Sequence, residues 1–288
     1  MELQKYHGLG NDYLVYDPQK NKAVMNKEQI RLICDRNFGA GSDGILYGPV
    51  FRDEKITVRI YNPDGSEAEK SGNGVRIFSK YLKDAGYVTS RAFTLTTLGG
   101  DVFVEYLNAS GNLLKVQMGK TTYRSCEIPV SGADRQVIDE AMTFHGQEYR
   151  VTCLSIGNPH CVIPMEEISR EKACALGRYV ENSENFPNRI NMQLLKVLDR
   201  HNIQIEIYER GAGYTLASGT SSCAAASAAH KLGLVDSNVT VHMPGGTLEI
   251  EIQPDESVFM TGKVNSVGTF HPSPEFLDQL EQLEHKDE

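Results

Sequence analysis

The sequence predicts an α+β fold made of two pseudo-symmetric halves, and three observations carry that prediction. The chain resembles itself at an offset of 147 residues: "HGLGNDYLVY" (7–16) lies over "LSIGNPHCVI" (154–163), which sets Asn11 on Asn158, and Ser71 falls on Ser218 in the same register. "ITVRIYN" (56–62) lies over "IQIEIYE" (203–209), both apolar at every second position, the period of a half-buried strand. Each half also carries a Gly-flanked turn that opens a helix, "GNGVRIFSKYLKDAG" and "GTSSCAAASAAHKLG". "GGDVFVEY" (99–106) and "GGTLEIEI" (245–252) recur at nearly the same interval. Four matches at the same or nearly the same offset predict two halves of similar fold, facing one another.

The elements follow in order. Each half opens with strands and then a helix. In the first this is Asn26 to Phe38, where Asn26 and Gln29 have capping-box spacing, and in the second about Glu167 to Val180. Strands follow, then the Gly-rich turn and a helix ending at Gly86 or Gly233, glycine being a common C-terminal cap. Strand-rich segments close each half. The tail "SPEFLDQLEQLE" spaces Phe276, Leu280 and Leu283 for one helix face, with Ser273 as N-cap and Pro274 at the first helical position. The expected domains are 1–118, joined by 263–288, and 119–262.

Composition narrows the function. The 288 residues, 40% hydrophobic and 23% charged, describe a soluble globular protein with ample core. A net charge of −9, with no block of Lys or Arg, argues against nucleic acid as a partner. No apolar run has the length of a membrane span, and "MELQKYHGLGNDYLVYD" lacks the basic and apolar regions of a secretion signal, so a cytoplasmic protein is expected. The six cysteines lack C-x-x-C spacing and read as reduced thiols, mostly core filler. No Walker lysine motif, no G-x-G-x-x-G after a strand and no metal-ligand cluster is present, so no cofactor or metal is expected.

A Gly-rich turn opening a helix aims unpaired backbone N–H groups at one point, where the helix dipole also favours negative charge. Two such turns brought together by pseudo-symmetry form a double site for one small carboxylate. The residue at the lip of each turn then flanks the bound molecule from opposite sides. That suits a reaction which removes a proton from one face of a carbon and returns one on the other.

The motifs "HGLGND", "NPDGSEAE", "GNPH" and "ERG" together resemble those of the diaminopimelate epimerase family, and the likeness continues through "FPNRINMQ" and "YERGAGYTLASGTSSCAAA" over nearly the whole chain. The resemblance implies cofactor-independent, PLP-independent interconversion of LL- and meso-diaminopimelate, on the way to lysine and peptidoglycan. It implies two domains, each a barrel-like set of strands around a central helix, with a small amino-acid substrate in the cleft between them. The family commonly forms homodimers. Carried over by position, the resemblance implies that the turn amides at Gly72, Asn73, Gly219 and Thr220 hold the reacting carboxylate, with Asn11 nearby. It assigns Asn62, Asn158, Asn191 and Arg210 to the distal carboxylate and Glu209 to the distal ammonium. His160 either shapes its turn or acts directly.

Two positions depart from the family pattern. A glutamine often found after the aspartate of "GAGSDGI" is Gly44 here, and both base positions, cysteine in the family, are Ser71 and Ser218. A thiol titrates near ~8.5, whereas a hydroxyl resembling water titrates near ~15.7, so its anion costs on the order of 10 kcal/mol more. A helix terminus offsets only ~2 kcal/mol of that. Serine otherwise needs an adjacent base, and sequence alone places neither Lys70 nor Glu209 beside a hydroxyl. Three accounts stay open: a double Cys-to-Ser substitution in an ordinary epimerase, a branch using serine, or an amino-acid-binding protein that has lost its chemistry. A racemase of another amino acid is the neighbouring alternative.

Overall fold

The computed structural model describes residues 1–21, 25–69 and 71–284. The chain divides into two compact units, Met1–Val116 with Gly262–Glu288, and Gln117–Thr261.

The first unit begins with the antiparallel pair β1 (Leu3–Gly8) and β2 (Asn11–Tyr16), closed by a turn in which Leu9 and Gly10 both have positive φ. Helix α1 (Lys27–Cys34) then crosses over to β3 (Ile45–Arg52), which pairs parallel with β2. β4 (Lys55–Tyr61) and the short β5 (Glu67–Ala68) follow, then α2 (Gly72–Asp84), β6 (Ala92–Thr97), β7 (Gly100–Tyr106) and β8 (Leu113–Lys120). β4 pairs parallel with β6, which continues antiparallel to β7 and β8.

The second unit repeats the scheme. β9 (Glu140–Phe144), β10 (Gln147–Ser155) and β11 (Pro159–Pro164) are antiparallel neighbours, and α3 (Arg170–Glu181) crosses to β12 (Asn191–Asp199), parallel to β11. β13 (Asn202–Glu209) and β14 (Gly213–Thr215) lead into α4 (Gly219–Lys231). β15 (Asn238–Met243), parallel to β13, continues into β16 (Gly246–Ile252) and β17 (Ser257–Lys263). The chain returns to the first unit as β18 (Asn265–Phe270), antiparallel to β1 as β9 is to β10, and ends in α5 (Pro274–Glu284). α2 and α4 begin and end 147 residues apart, so the offset read in the sequence is an offset in structure.

Both central helices are buried nearly all round, α2 from Gly72 to Leu82 and α4 through its alanine-rich run. A helix buried on nearly every face lies inside its strands rather than on them, and the polar side chains α2 carries there, such as Asn73 and Arg76, are bonded within the fold. α2 packs on β1, β2, β3 and β7, and α4 on β10 to β13, β15 and β16. The C-terminal glycines adopt the left-handed conformation, Gly86 at φ 76° and Gly233 at φ 72°. α1 and α3 lie outside, each carrying a core of its own. In the first unit this gathers Leu3, Leu14, Ile30, Ile33, Ile45 and Leu280, and in the second Val151, Ile163, Ala173, Val180, Met192 and Leu194.

Two predicted helices are shorter than expected. α1 ends at Cys34, not Phe38, because the Asp35 carboxylate accepts the N–H groups of Asn37 and Phe38 at 2.7 and 2.8 Å and turns the chain away. α3 starts at Arg170, where the Ser169 hydroxyl caps Lys172 N–H, rather than near Glu167. The capping box of Asn26 and Gln29 forms, and both side chains also donate to the tail, to the carbonyls of Leu283 and Leu280, each at 2.9 Å. Among the described residues no helix is long and apolar enough to cross a membrane.

Candidate active site

In each unit the central helix is capped by a serine, and the two caps share a geometry. Ser71 and Ser218 both have extended backbone and sit at the N-caps of α2 and α4. Ser71 Oγ accepts Gly74 N–H at 3.0 Å and Ser218 Oγ accepts Ser221 N–H at 3.4 Å. The serine carbonyls accept the next amides, those of Val75 and Ser222. Helix geometry leaves the two preceding N–H groups, of Gly72 and Asn73 and of Gly219 and Thr220, without intrahelical acceptors. These are the four amides that the sequence assigned to a carboxylate.

In the first unit the structure brings Asn11, Asn73 and Ser71 together. Asn11 stands at the turn between β1 and β2. Asn73 Nδ2 donates to Asn11 Oδ1 at 3.0 Å, and Asn11 Nδ2 donates to Asp43 Oδ2 at 2.9 Å. The fully buried Arg76 guanidinium donates to Asn73 Oδ1. The two carboxamides are therefore strung between a cation and an anion, which fixes which end of each is the donor. Asp43 and Asp12 share Arg36, each at 2.7 Å, and Lys5 joins Asp12 at 2.9 Å; these bonds hold the Asp12 carboxyl below its ordinary range against the opposing effect of burial. Beside Ser71 lies Tyr13, whose phenolic oxygen is 3.3 Å from Ser71 Oγ. Asn62, just after β4, donates to Ser66 Oγ at 3.0 Å. Lys70 lies outside the described residues.

The second unit places Asn158 in the matching turn, where its Nδ2 reaches Thr220 Oγ1 at 3.3 Å. Thr220 corresponds to Asn73 at the repeat offset, so the contact between hairpin and helix terminus recurs. His160 is fully buried, its Nε2 2.9 Å from Asn158 Oδ1 and its Nδ1 3.1 Å from the Gln193 side-chain nitrogen. Gln193 also donates to Ser221 Oγ at 3.0 Å. Burial, with help from the Arg210 cation, lowers the His160 pKa to about 3. The buried imidazole thus bonds the side chain of Asn158 on one side and that of Gln193 on the other.

Asn191 and Arg210 also meet. Arg210 N–H donates to Asn191 Oδ1 at 2.9 Å, Asn191 Nδ2 donates to Pro159 O at 2.8 Å, and the guanidinium donates to Asn188 O at 3.0 Å. Glu181, nearly buried, accepts from Gly211 N–H at 2.8 Å and from Arg189 at 3.0 Å, pinning the loop that follows β13. Glu209 lies beside Ser218. Burial pushes its carboxyl up, and the hydroxyls of Ser218 and Thr215 pull partly the other way.

Sequence reasoning missed Tyr13, Asp43, Arg76, Glu181 and Gln193. The repeat held one signal, since Tyr13 falls on His160 at the same offset. Gly44, which the sequence shows only as the lack of a glutamine and its polar contact, has a structural reason: a Cβ there would stand 2.3 Å from Tyr61 O and 2.8 Å from Tyr13 Cε1, so this position has no room for a side chain.

The family model for diaminopimelate epimerase matches residues 3–124 and 152–267. Diaminopimelate epimerase 2 of Nostoc sp. is 50% identical over 278 residues, 96% of this chain and 97% of its own length. Diaminopimelate epimerase of Moorella thermoacetica is 36% identical over 266 residues, covering 91% and 95%. Among solved structures, a probable proline racemase from Agrobacterium radiobacter K84 superposes with a TM-score of 0.68 at 13% identity, over 95% of this chain and 93% of that one. A hydroxyproline epimerase from Agrobacterium vitis gives 0.67 at 14%, over 94% and 91%. At those identities the superpositions establish the fold, while the sequence matches establish more: the chain belongs to the diaminopimelate epimerase family.

Proposed function

We infer that this chain is a diaminopimelate epimerase, an isomerase that interconverts LL- and meso-diaminopimelate by 1,1-proton transfer at Cα. The observation that carries the reading is the paired Ser-capped helix terminus, each with a hairpin asparagine bonded to its second residue. Two free amides per terminus suit one carboxylate, and stabilising the charge that develops on it acidifies the adjacent C–H. Arg210, Asn191, Asn158 and Asn62 are read as holding the distal carboxylate, for which a guanidinium fork is well shaped. Glu209, with its carboxyl beside Ser218, is read as the acceptor of the Ser218 proton as well as a partner of the distal ammonium. The reading carries with it a cytoplasmic enzyme acting on a free amino acid, and a homodimer.

The direct test incubates the chain with LL-diaminopimelate and separates the stereoisomers chromatographically, beside monocarboxylic amino acids at equal concentration. Conversion of diaminopimelate alone supports the reading. Conversion of a monocarboxylic amino acid alone makes the chain a racemase of another substrate, and tight binding without conversion makes it a binding protein.

A further inference from the structure

At the repeat offset the first unit has Asn62 where the second has Glu209. Among the described residues, the ionisable group recorded beside Ser71 is a phenol. Tyr13 comes from β2, is nearly buried, and brings its hydroxyl to 3.3 Å from Ser71 Oγ. The Ser71 oxygen already accepts Gly74 N–H at 3.0 Å, which fixes its position at the helix terminus. Ser71 is thus held between a backbone donor and a second ionisable hydroxyl. The approach is built into the backbone: at Gly44, φ 154°, a Cβ would lie 2.8 Å from the Tyr13 ring, so the ring occupies its place because residue 44 has no side chain.

We propose that Tyr13 holds the proton on this face of the reaction and that Ser71 relays it. This rests on the epimerase reading. In the removing direction the Cα–H proton passes to Ser71 Oγ as the Ser71 proton passes to the Tyr13 phenolate. The electron pair of the C–H bond stays on Cα, and Tyr13 ends as a neutral phenol. In the returning direction the phenol gives its proton to Ser71 as Ser71 gives its own to Cα. No alkoxide accumulates in either direction. Free in water a phenol titrates near ~10, against ~15.7 for a water-like hydroxyl and ~8.5 for a thiol, so of the two hydroxyls the phenol is the one whose anion comes nearer to a thiolate. The serine anion alone would be scarcer than a thiolate by roughly seven orders of magnitude on the same values. The relay thus replaces the thiol by two hydroxyls, one placed at the substrate and one able to ionise.

The counterpart of Tyr13 at the repeat offset is His160, which points to Asn158 and Gln193 instead. The two units therefore support their serines differently, by Tyr13 in one and Glu209 in the other. Tyr13 acts through Ser71 and is a positioning and proton-holding residue, so its test needs more than loss of rate.

The experiment compares the full chain, Tyr13→Phe, Ser71→Cys, and the double variant Tyr13→Phe/Ser71→Cys, each checked for an unchanged thermal midpoint, with kcat and KM measured from pH 6 to 10.5. Tyr13→Phe is expected to lower kcat about 100-fold or more with KM within about threefold, and to abolish the rise in rate toward alkaline pH. Ser71→Cys is expected to need no phenol, so the double variant should recover to within about tenfold of Ser71→Cys alone. A Tyr13→Phe enzyme with full kcat overturns the proposal. So does a folded double variant as slow as Tyr13→Phe, which would make the ring merely structural. If the unaltered chain and Ser71→Cys both leave diaminopimelate untouched, the epimerase reading fails and the relay falls with it.

Discussion

The Arg76 guanidinium, with no solvent exposure at all, donates to the side-chain oxygen of Asn73 at the mouth of α2. Asn73 in turn orients Asn11, and Asn11 is anchored on Asp43. Arg76→Met keeps much of the volume and removes the donor, leaving a buried carboxamide oxygen without its cation. It should lower the unfolding free energy by about 2–4 kcal/mol. Urea unfolding checks this, and an unchanged midpoint would contradict it.

His160 makes stability depend on acid. Its pKa of about 3 in the fold lies below the ordinary 6.5, so between those values the unfolded chain binds a proton that the folded chain does not. Stability is complete above about pH 6.5 and falls as pH drops toward 3. The most this site can remove is on the order of 5 kcal/mol. His160→Gln should flatten that part of the stability curve, measured by thermal melts at stepped pH.

Glu209 should set the acid limb of the activity. Its carboxyl is raised by burial, so it stays protonated, and unable to accept the Ser218 proton, to a higher pH than an ordinary glutamate. The fall of kcat/KM on acidification should therefore occur above pH ~4.5. Glu209→Gln should abolish turnover while the fold persists by circular dichroism.

Glu181 holds the loop that carries Arg210, through Gly211 N–H and Arg189. Glu181→Ala should raise KM for diaminopimelate about tenfold with kcat changed less than threefold, the loss of a charge-assisted bond that places a binding group. Steady-state kinetics separates that outcome from a general loss of activity.

The duplication was legible because it is written in short-range signals. Strand alternation, the Gly-flanked turns and the C-terminal glycines mark α2 and α4, and Ser273 with Pro274 marks the tail helix. The helix ends at Cys34 and Arg170 were not, because Asp35 and Ser169 settle them by hydrogen bonds that compete with the helical pattern. In the site, residues in motifs were found and their supports were not. Asp43 and Glu181 act at sequence distances of 32 and 30 residues from the groups they hold, and only folding reveals the pairing, whereas Arg76 stands one helical turn from Asn73 on α2. Gly44 reads in sequence as a missing contact, yet in the fold it is the space that the Tyr13 ring requires.

A chain with serine at both proton-carrying positions is expected still to move the α-proton. Proton NMR of LL-diaminopimelate in D2O with the unaltered chain tests this most directly, beside a calorimetric measurement of binding. Loss of the Cα–H signal is expected, with deuterium entering as the meso isomer forms. Binding of diaminopimelate with the Cα–H signal intact through long incubation would contradict it.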